Sequence, residues 1–195
     1  MDILSLRSNE SALIGKIISD GFRDDAVNLW AFNGEKAMWP MFTHMAKHLY
    51  LKSGYGHRTS DGKAGTLWLP PKVIKGYGLT GNLNMFSTLI SHAGLRGIKN
   101  SVTIDNFLTK KRPKEPHHYL FAISVHPDHQ GKGIGGQLMR KSLSQIDEEK
   151  SPAYLENSKA KNIPFYRSFG FEIMEEVRPA KDCPPLWLMW RKPNE

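Results

Sequence analysis

The residues best suited to chemistry lie in one short stretch. An apolar run at 120–125 passes through the polar turn Val125-His-Pro-Asp-His-Gln130 into Gly131-Lys-Gly133-Ile-Gly135-Gly136, and an amphipathic segment, 136–150, follows. This order reads as a strand, a turn and the start of a helix. At such a start the first backbone N–H groups have no intrahelical partner, and the helix dipole places its positive end there, so the bare glycine backbone suits a diphosphate. A tight turn without a ligand is the competing reading. Four glycines within residues 131–136 weigh against it, because they cost helix stability for no packing gain.

Three diphosphate-binding patterns can be compared by spacing. A Walker-type loop needs Gly-x-x-x-x-Gly-Lys-Ser/Thr. Gly131 and Gly136 have that separation, but Gln137-Leu138 follow, so the phosphate lysine and the magnesium hydroxyl are both absent. The dinucleotide pattern Gly-x-Gly-x-x-Gly is met by Gly131, Gly133 and Gly136, and Glu156 stands about 20 residues on, where a ribose-binding acid belongs. The first glycine of that motif should directly follow its strand, however, and residues 126–130 intervene. Too little chain follows Glu156 to complete a doubly wound sheet.

The third pattern accommodates all of it. Gln130-Gly-Lys-Gly133-Ile-Gly135 resembles the Gln/Arg-x-x-Gly-x-Gly/Ala motif of the GNAT superfamily of acyl-coenzyme A-dependent N-acyltransferases, with Val125-His-Pro127 before it and Leu138 after it. A second block, Tyr154-Leu-Glu-Asn-Ser158 and Asn162-Ile-Pro-Phe-Tyr166-Arg-Ser-Phe-Gly170-Phe171, resembles the next strand and short helix of that superfamily. Within it, Arg112-Pro-Lys-Glu-Pro116 and Pro127-Asp-His-Gln-Gly-Lys-Gly133 are most like puromycin N-acetyltransferase and its bacterial relatives. The resemblance covers residues 112–171, under a third of the chain.

The resemblance implies an α/β fold of GNAT type: a mixed, twisted sheet flanked by helices, with a splayed central strand pair. It implies acetyl-coenzyme A as cosubstrate, held by Gln130, Gly131, Lys132, Gly133, Ile134, Gly135 and Gly136 at the pyrophosphate. Backbone groups of Ile123, Ser124 and Val125 would meet the pantetheine arm, with Asn162 and Phe165 alongside. Tyr166 is the implied general acid for the departing thiolate, a role a phenol can fill; as core aromatics, Phe165, Tyr166 and Phe169 would need no such role. Asn162 equally suits a helix N-cap before Pro164. For a general base the sequence offers His118, ranked ahead of Glu115, although paired histidines at a strand start are commonly surface residues and ordered water is an alternative. Asp24 and Asp25 would reach a cationic amine or simply complement a helix dipole.

Composition sets the outer bounds. The chain has 195 residues, 39% hydrophobic and 24% charged, as expected of one soluble domain spanning 1–195. No run is long and apolar enough for a membrane span, and Met1-Asp-Ile-Leu-Ser lacks the layout of a signal peptide. A single cysteine, Cys183, in a Pro-rich turn, suits a reducing cytoplasm and a structural role. The formal charge of +8 permits nucleic-acid binding, but the basic residues form no arm, and an electropositive cofactor mouth with solvated surface charge accounts for the excess. The eight histidines show no metal-ligand spacing; His44 and His48 are one i, i+4 pair, explained by an exposed helix face.

Periodicity predicts helices at 9–18 and 41–51, a turn at 60–65 between candidate strands of which 66–69 is the clearest, and a helical region at 82–108. Beyond it come strands at 119–125, 153–156, 171–177 and 186–190, with helices from 134 and 164. The expected reaction is direct acetyl transfer to the amine of a small molecule. Peptide or protein N-acetylation and a non-catalytic acyl-coenzyme A sensor are the alternatives, and a homodimer is left open.

Overall fold

A computed structural model describes residues 1–73 and 76–193. Seven strands form one mixed sheet in the order β1-β2-β3-β4-β5-β7-β6: β1 (Ile3–Ser5), β2 (Tyr55–Thr59), β3 (Ala64–Leu69), β4 (His118–Val125), β5 (Ala153–Asn157), β6 (Glu172–Val177) and β7 (Leu186–Arg191). All neighbours are antiparallel except β4 and β5. A parallel pair needs a crossover, and helix α6 (Ile134–Glu148) supplies it. One face carries α1 (Ser11–Gly21), α2 (Ala26–Ala31), α3 (Met38–Met45), the short α4 (Leu51–Ser53) and α5 (Gly78–Lys111). The other carries α6 and α7 (Ile163–Arg167).

The central strands are apolar on both sides because both faces are covered. In β3 every residue is buried: Leu67 and Leu69 meet the α1–α3 layer, while Trp68 meets Met139, Leu143 and Ile146 of α6. The expected elements are present, with α1 starting two residues later than read. Short β1 and α2 were not anticipated. A π-helical turn, Ala46–Tyr50, continues α3, and α5 breaks at Gly94, whose φ of 66° and ψ of −173° are non-helical.

Two features of β4 decide where a site can form. Its pairing with β3 slips by one residue, Leu67 facing Ala122 and Trp68 facing Leu120, so Phe121 is a bulge. Its pairing with β5 covers only His118–Leu120 against Ala153–Leu155. Beyond Leu120 the strands part, as the GNAT resemblance implies. The bulge also resets the alternation: His118, Leu120, Ile123 and Val125 belong to the α6 side, Tyr119, Phe121, Ala122 and Ser124 to the α1 side.

Three histidines are buried in the described structure. His44, expected on an exposed helix face, is 7% exposed and stacks on His48 with ring centroids 4.4 Å apart. His57 Nδ1 lies 3.1 Å from Ser142 Oγ. His118, 1% exposed, accepts from Tyr55 Oη at Nδ1 (2.8 Å) and donates from Nε2 to Glu149 (2.9 Å). Burial lowers the pKa of all three, most directly by desolvating the charged form. The unfolded chain therefore binds protons that the folded chain resists. The associated stability is intact above the ordinary histidine pKa of about 6.5 and is lost as pH falls below it. The melting temperature should drop by several degrees between pH 7.5 and pH 5; a flat profile across that interval would contradict this reading.

Candidate active site

The turn after β4 is built by its own side chains. Gln130 Nε2 donates to the Val125 carbonyl (3.1 Å), folding the loop back on the strand end. Gly133, at φ 76°, is the left-handed residue on which α6 begins, and Gln137 N–H makes the bond to its carbonyl. That conformation favours glycine. Among the described residues no protein acceptor meets the N–H groups of Ile134, Gly135 and Gly136. A Cβ at Gly131 or Gly133 would meet nothing within 4 Å, so the loop stands open on its outer side.

These amides border a groove of about 360 Å³. It is lined by Ile123, Ser124 and Val125 of β4, by Gln130, Gly131, Gly133, Ile134, Gly135 and Gly136, and by Asn162, Phe165 and Tyr166 at and after the cap of α7. The structure thus brings together twelve positions read from the sequence as cofactor-binding. Lys132 is the exception: it turns away, donating from Nζ to the Asp128 carbonyl (2.9 Å). Asn162 occupies the N-cap position of α7 but its side chain makes no capping bond. The Ser124 hydroxyl is spent on the Ile17 carbonyl (2.8 Å), leaving backbone as the strand's contribution. Lys159 and Lys161 add positive charge to the groove's lining, which suits an anionic occupant.

Tyr166 sits at the inner wall, 8% exposed. Burial, reinforced by the Asp25 carboxylate, raises its pKa above the ordinary phenol value, so it carries its proton throughout the neutral range. Its helix is held by Arg191, which donates from Nε to the Phe169 carbonyl (2.8 Å) and pairs with both oxygens of Asp147 (2.6 and 3.0 Å). That clamp ties β7, α6 and the end of α7 together.

The structure does not bring the two base candidates to the groove. His118 is locked between Tyr55 and Glu149 near the start of β4, at the end opposite the glycine loop. Glu115 is exposed and borders a separate depression of about 840 Å³ over α6, β6 and β7, which neither Tyr166 nor the glycine loop lines. The acid at the groove is Asp25, fully buried. Its Oδ1 accepts from the Asn28 backbone and side-chain amides (2.9 Å each), capping α2, and its Oδ2 accepts from the Ser158 hydroxyl. Asp24, by contrast, pairs with Lys159 at the surface.

A second cavity, about 140 Å³, opens on the α1–α5 side of the parted strands. Phe22 lines both cavities, and Ser158 and Asn28, the partners of Asp25, line the second. Its far wall is the C-terminal half of α5, bound to α2 through Asn100 Nδ2 to the Trp30 carbonyl (2.8 Å) and Ser101 Oγ to the Ala31 carbonyl (3.0 Å). Among the described residues no cluster of His, Cys, Asp and Glu is arranged for a metal ion. Cys183 is buried, its thiol pushed up to about 11 by burial, which makes it a poor nucleophile.

A groove at the carboxyl end of a parted parallel strand, against a bare helix start, can be compared with known proteins. Residues 99–173 match the acetyltransferase (GNAT) domain family. The fold is that of the GNAT acetyltransferases. A Corynebacterium glutamicum structure described as histone acetyltransferase HPA2 and related acetyltransferase superposes with a TM-score of 0.72 at 19% identity, over 99% of this chain and 96% of that one. Arylalkylamine N-acetyltransferase 2 of Aedes aegypti gives 0.65 at 15% identity, over 99% of each. The PaiA N-acetyltransferase of Thermoplasma acidophilum, solved with coenzyme A, gives 0.56 at 11%, over 98% and 99%. At these identities the likeness is one of fold. An uncharacterized N-acetyltransferase of Schizosaccharomyces pombe is 35% identical over 78 residues, 39% of this chain; the chain spans about a third (32%) of that relative's length. The family match over residues 99–173 and the solved structures agree on the fold.

The close approach of α1 to β4 is a structural dependence of the groove. A Cβ on Gly21 would fall 2.1 Å from Ser124 Oγ and 3.1 Å from the Val125 carbonyl. Gly21→Ala should force the helix and strand apart, costing about 1–3 kcal/mol of stability. Adding Ser124→Ala, which removes the nearest clashing atom, should recover part of the loss. An unchanged melting temperature in Gly21→Ala would refute the dependence.

Proposed function

We propose that this protein transfers the acetyl group of acetyl-coenzyme A directly to the primary amine of a small molecule. The observation that carries the reading is the groove itself: unpaired amides of residues 134–136 at a helix start, continuous with the unpaired edge of β4 beyond Leu120 and closed by Tyr166. A diphosphate fits the first, an extended amide-bearing arm fits the second, and a thioester would lie beside the third. Acetyl-coenzyme A supplies the activated acyl group, and this chain's residues do the rest.

Backbone amides along the parted edge of β4 stabilise negative charge on the carbonyl oxygen as the amine attacks. Tyr166 then gives its proton to the leaving sulphur. The amine must first lose a proton, which for an alkyl ammonium of pKa about 10.4 costs roughly 4–5 kcal/mol at neutral pH. Asp25 is the carboxylate placed for it. The ammonium passes a proton to the Ser158 oxygen while the Ser158 hydroxyl gives its own to Asp25 Oδ2, so charge leaves the amine without a free hydroxide. This replaces the roles read for His118 and Glu115.

A small-molecule acceptor is supported by the small size of the second cavity, about 140 Å³, and by the resemblance of 112–116 and 127–133 to puromycin N-acetyltransferase. The wall of α5, bound to α2, weighs against an open peptide groove. A single buried cysteine suits a reducing cytoplasm, and no helix among the described residues is long and apolar enough to cross a membrane.

Calorimetric titration should show saturable acetyl-coenzyme A binding. Tyr166→Phe should keep that affinity within a few fold and lose about 10²-fold or more in kcat. Asp25→Asn retains an N-cap residue and should lose at least 10-fold in kcat/KM at pH 7, with much of the loss recovered near pH 10, where free amine is abundant. Binding without turnover across a broad amine panel would favour an acyl-coenzyme A sensor. Absence of binding would end the proposal.

A further inference from the structure

We infer that the second cavity is the acceptor subsite and that it takes a compact primary amine carried on one aromatic or branched apolar group, without a carboxylate. The inference rests on the acetyl-transfer reading above and names its substrate class.

Position comes first. The cavity touches β4 at Phe121 and Ala122, the bulge where the strand leaves β5, and it meets the cofactor groove at Phe22. Asp25 lines the groove, while its two partners, Asn28 and Ser158, line the cavity. A molecule lying in the cavity therefore presents one end to the Asp25–Ser158 pair, beside the gap in the sheet.

Size and lining set the body of that molecule. Phe22, Phe32, Phe42, Phe121, Met45 and Ile104 give the wall its large apolar side chains. Phe42 meets Phe32 and Phe121 edge-on, at centroid distances of 5.6 and 6.2 Å, which fixes the aromatic surface. At about 140 Å³ the space matches that of an apolar cavity able to hold one benzene-sized group. Two fused rings or a folded peptide would exceed it.

Charge sets the head group. Among the described residues the cavity is lined by two acids, Asp105 and Glu156, and by no lysine or arginine. Glu156 is already met by Arg112 (3.0 Å) and by the Tyr119 hydroxyl (2.7 Å). Asp25 is bonded only to neutral donors, and no cation pairs with it among the described residues. An ammonium gains from this buried carboxylate, bonded only to neutral donors, whereas a ligand carboxylate would be desolvated beside it and beside Glu156, with no lysine or arginine among the described lining residues to receive it. The same molecule with and without a carboxylate therefore makes the sharpest comparison.

The test uses 2-phenylethylamine, phenylalanine, spermidine and a free-amine tetrapeptide as acceptors, with thiol release as the readout. The expected result is a kcat/KM for 2-phenylethylamine at least 100-fold above that for phenylalanine and above those for spermidine and the peptide. Ile104→Trp, which fills the cavity from α5, should raise the KM for 2-phenylethylamine at least 10-fold and leave acetyl-coenzyme A affinity unchanged. Ile104→Ala should shift preference toward a naphthyl amine. Thermal shift of the protein by 2-phenylethylamine alone, lost in Ile104→Trp, reads the cavity without any acetyl transfer. Preference for phenylalanine, spermidine or the peptide, or insensitivity to both Ile104 variants, overturns this inference while leaving the acetyl-transfer reading standing. Failure of acetyl-coenzyme A to bind, with the amine shift intact, overturns the reading instead.

Discussion

After Leu120 and Leu155 the two central strands stop sharing hydrogen bonds, and every part of the site depends on that parting. A sheet interior ordinarily satisfies its backbone groups by pairing, and an unpaired buried edge is costly. Here the cost is confined to the carboxyl end of β4. The bulge at Phe121 changes the strand's direction and the faces its side chains occupy. It sends Ala122 and Ser124 to the α1 side and leaves Ile123 and Val125 toward α6. The parted edge lies next to the bare helix start, and both border the same groove.

The surroundings keep that opening rigid. Gly21 lets α1 lie against β4 at a distance no larger residue permits, and Ser124 bonds across the contact. Arg191 fixes the end of the Tyr166 helix to α6 through Asp147. The Asp25–Ser158 hydrogen bond spans the opening from the α1–α2 turn to the end of β5. Tyr166 and Asp25 thus line one groove, each set by an element that also belongs to the core.

Much of this was legible in the chain. The strand–turn–helix around Gly131–Gly136 is a local pattern, since glycine spacing and flanking apolar runs specify it without reference to distant residues. The turn and short helix carrying Asn162, Phe165 and Tyr166 are local in the same way. What sequence alone missed is non-local. Strand alternation puts His118 on the same face as Leu120 but does not say which end of β4 opens; the bulge and the short β4–β5 register decide that, and they place His118 at the closed end. Asp25 looked like a helix-dipole acid, and it is an N-cap; its meeting with Ser158 joins positions 133 residues apart, which no spacing rule reveals. Lys132 sits within the motif by sequence, yet its side chain follows the outward turn of the loop.

The most direct measurement of the central claim is backbone hydrogen exchange with and without bound coenzyme A. The account predicts slowed exchange at two separate places, the amides of residues 134–136 and those of residues 122–125 on the parted edge of β4, with little change in the paired stretch His118–Leu120. Protection at the helix start alone, with the β4 edge exchanging as before, would contradict the claim that the ligand takes the place of a strand.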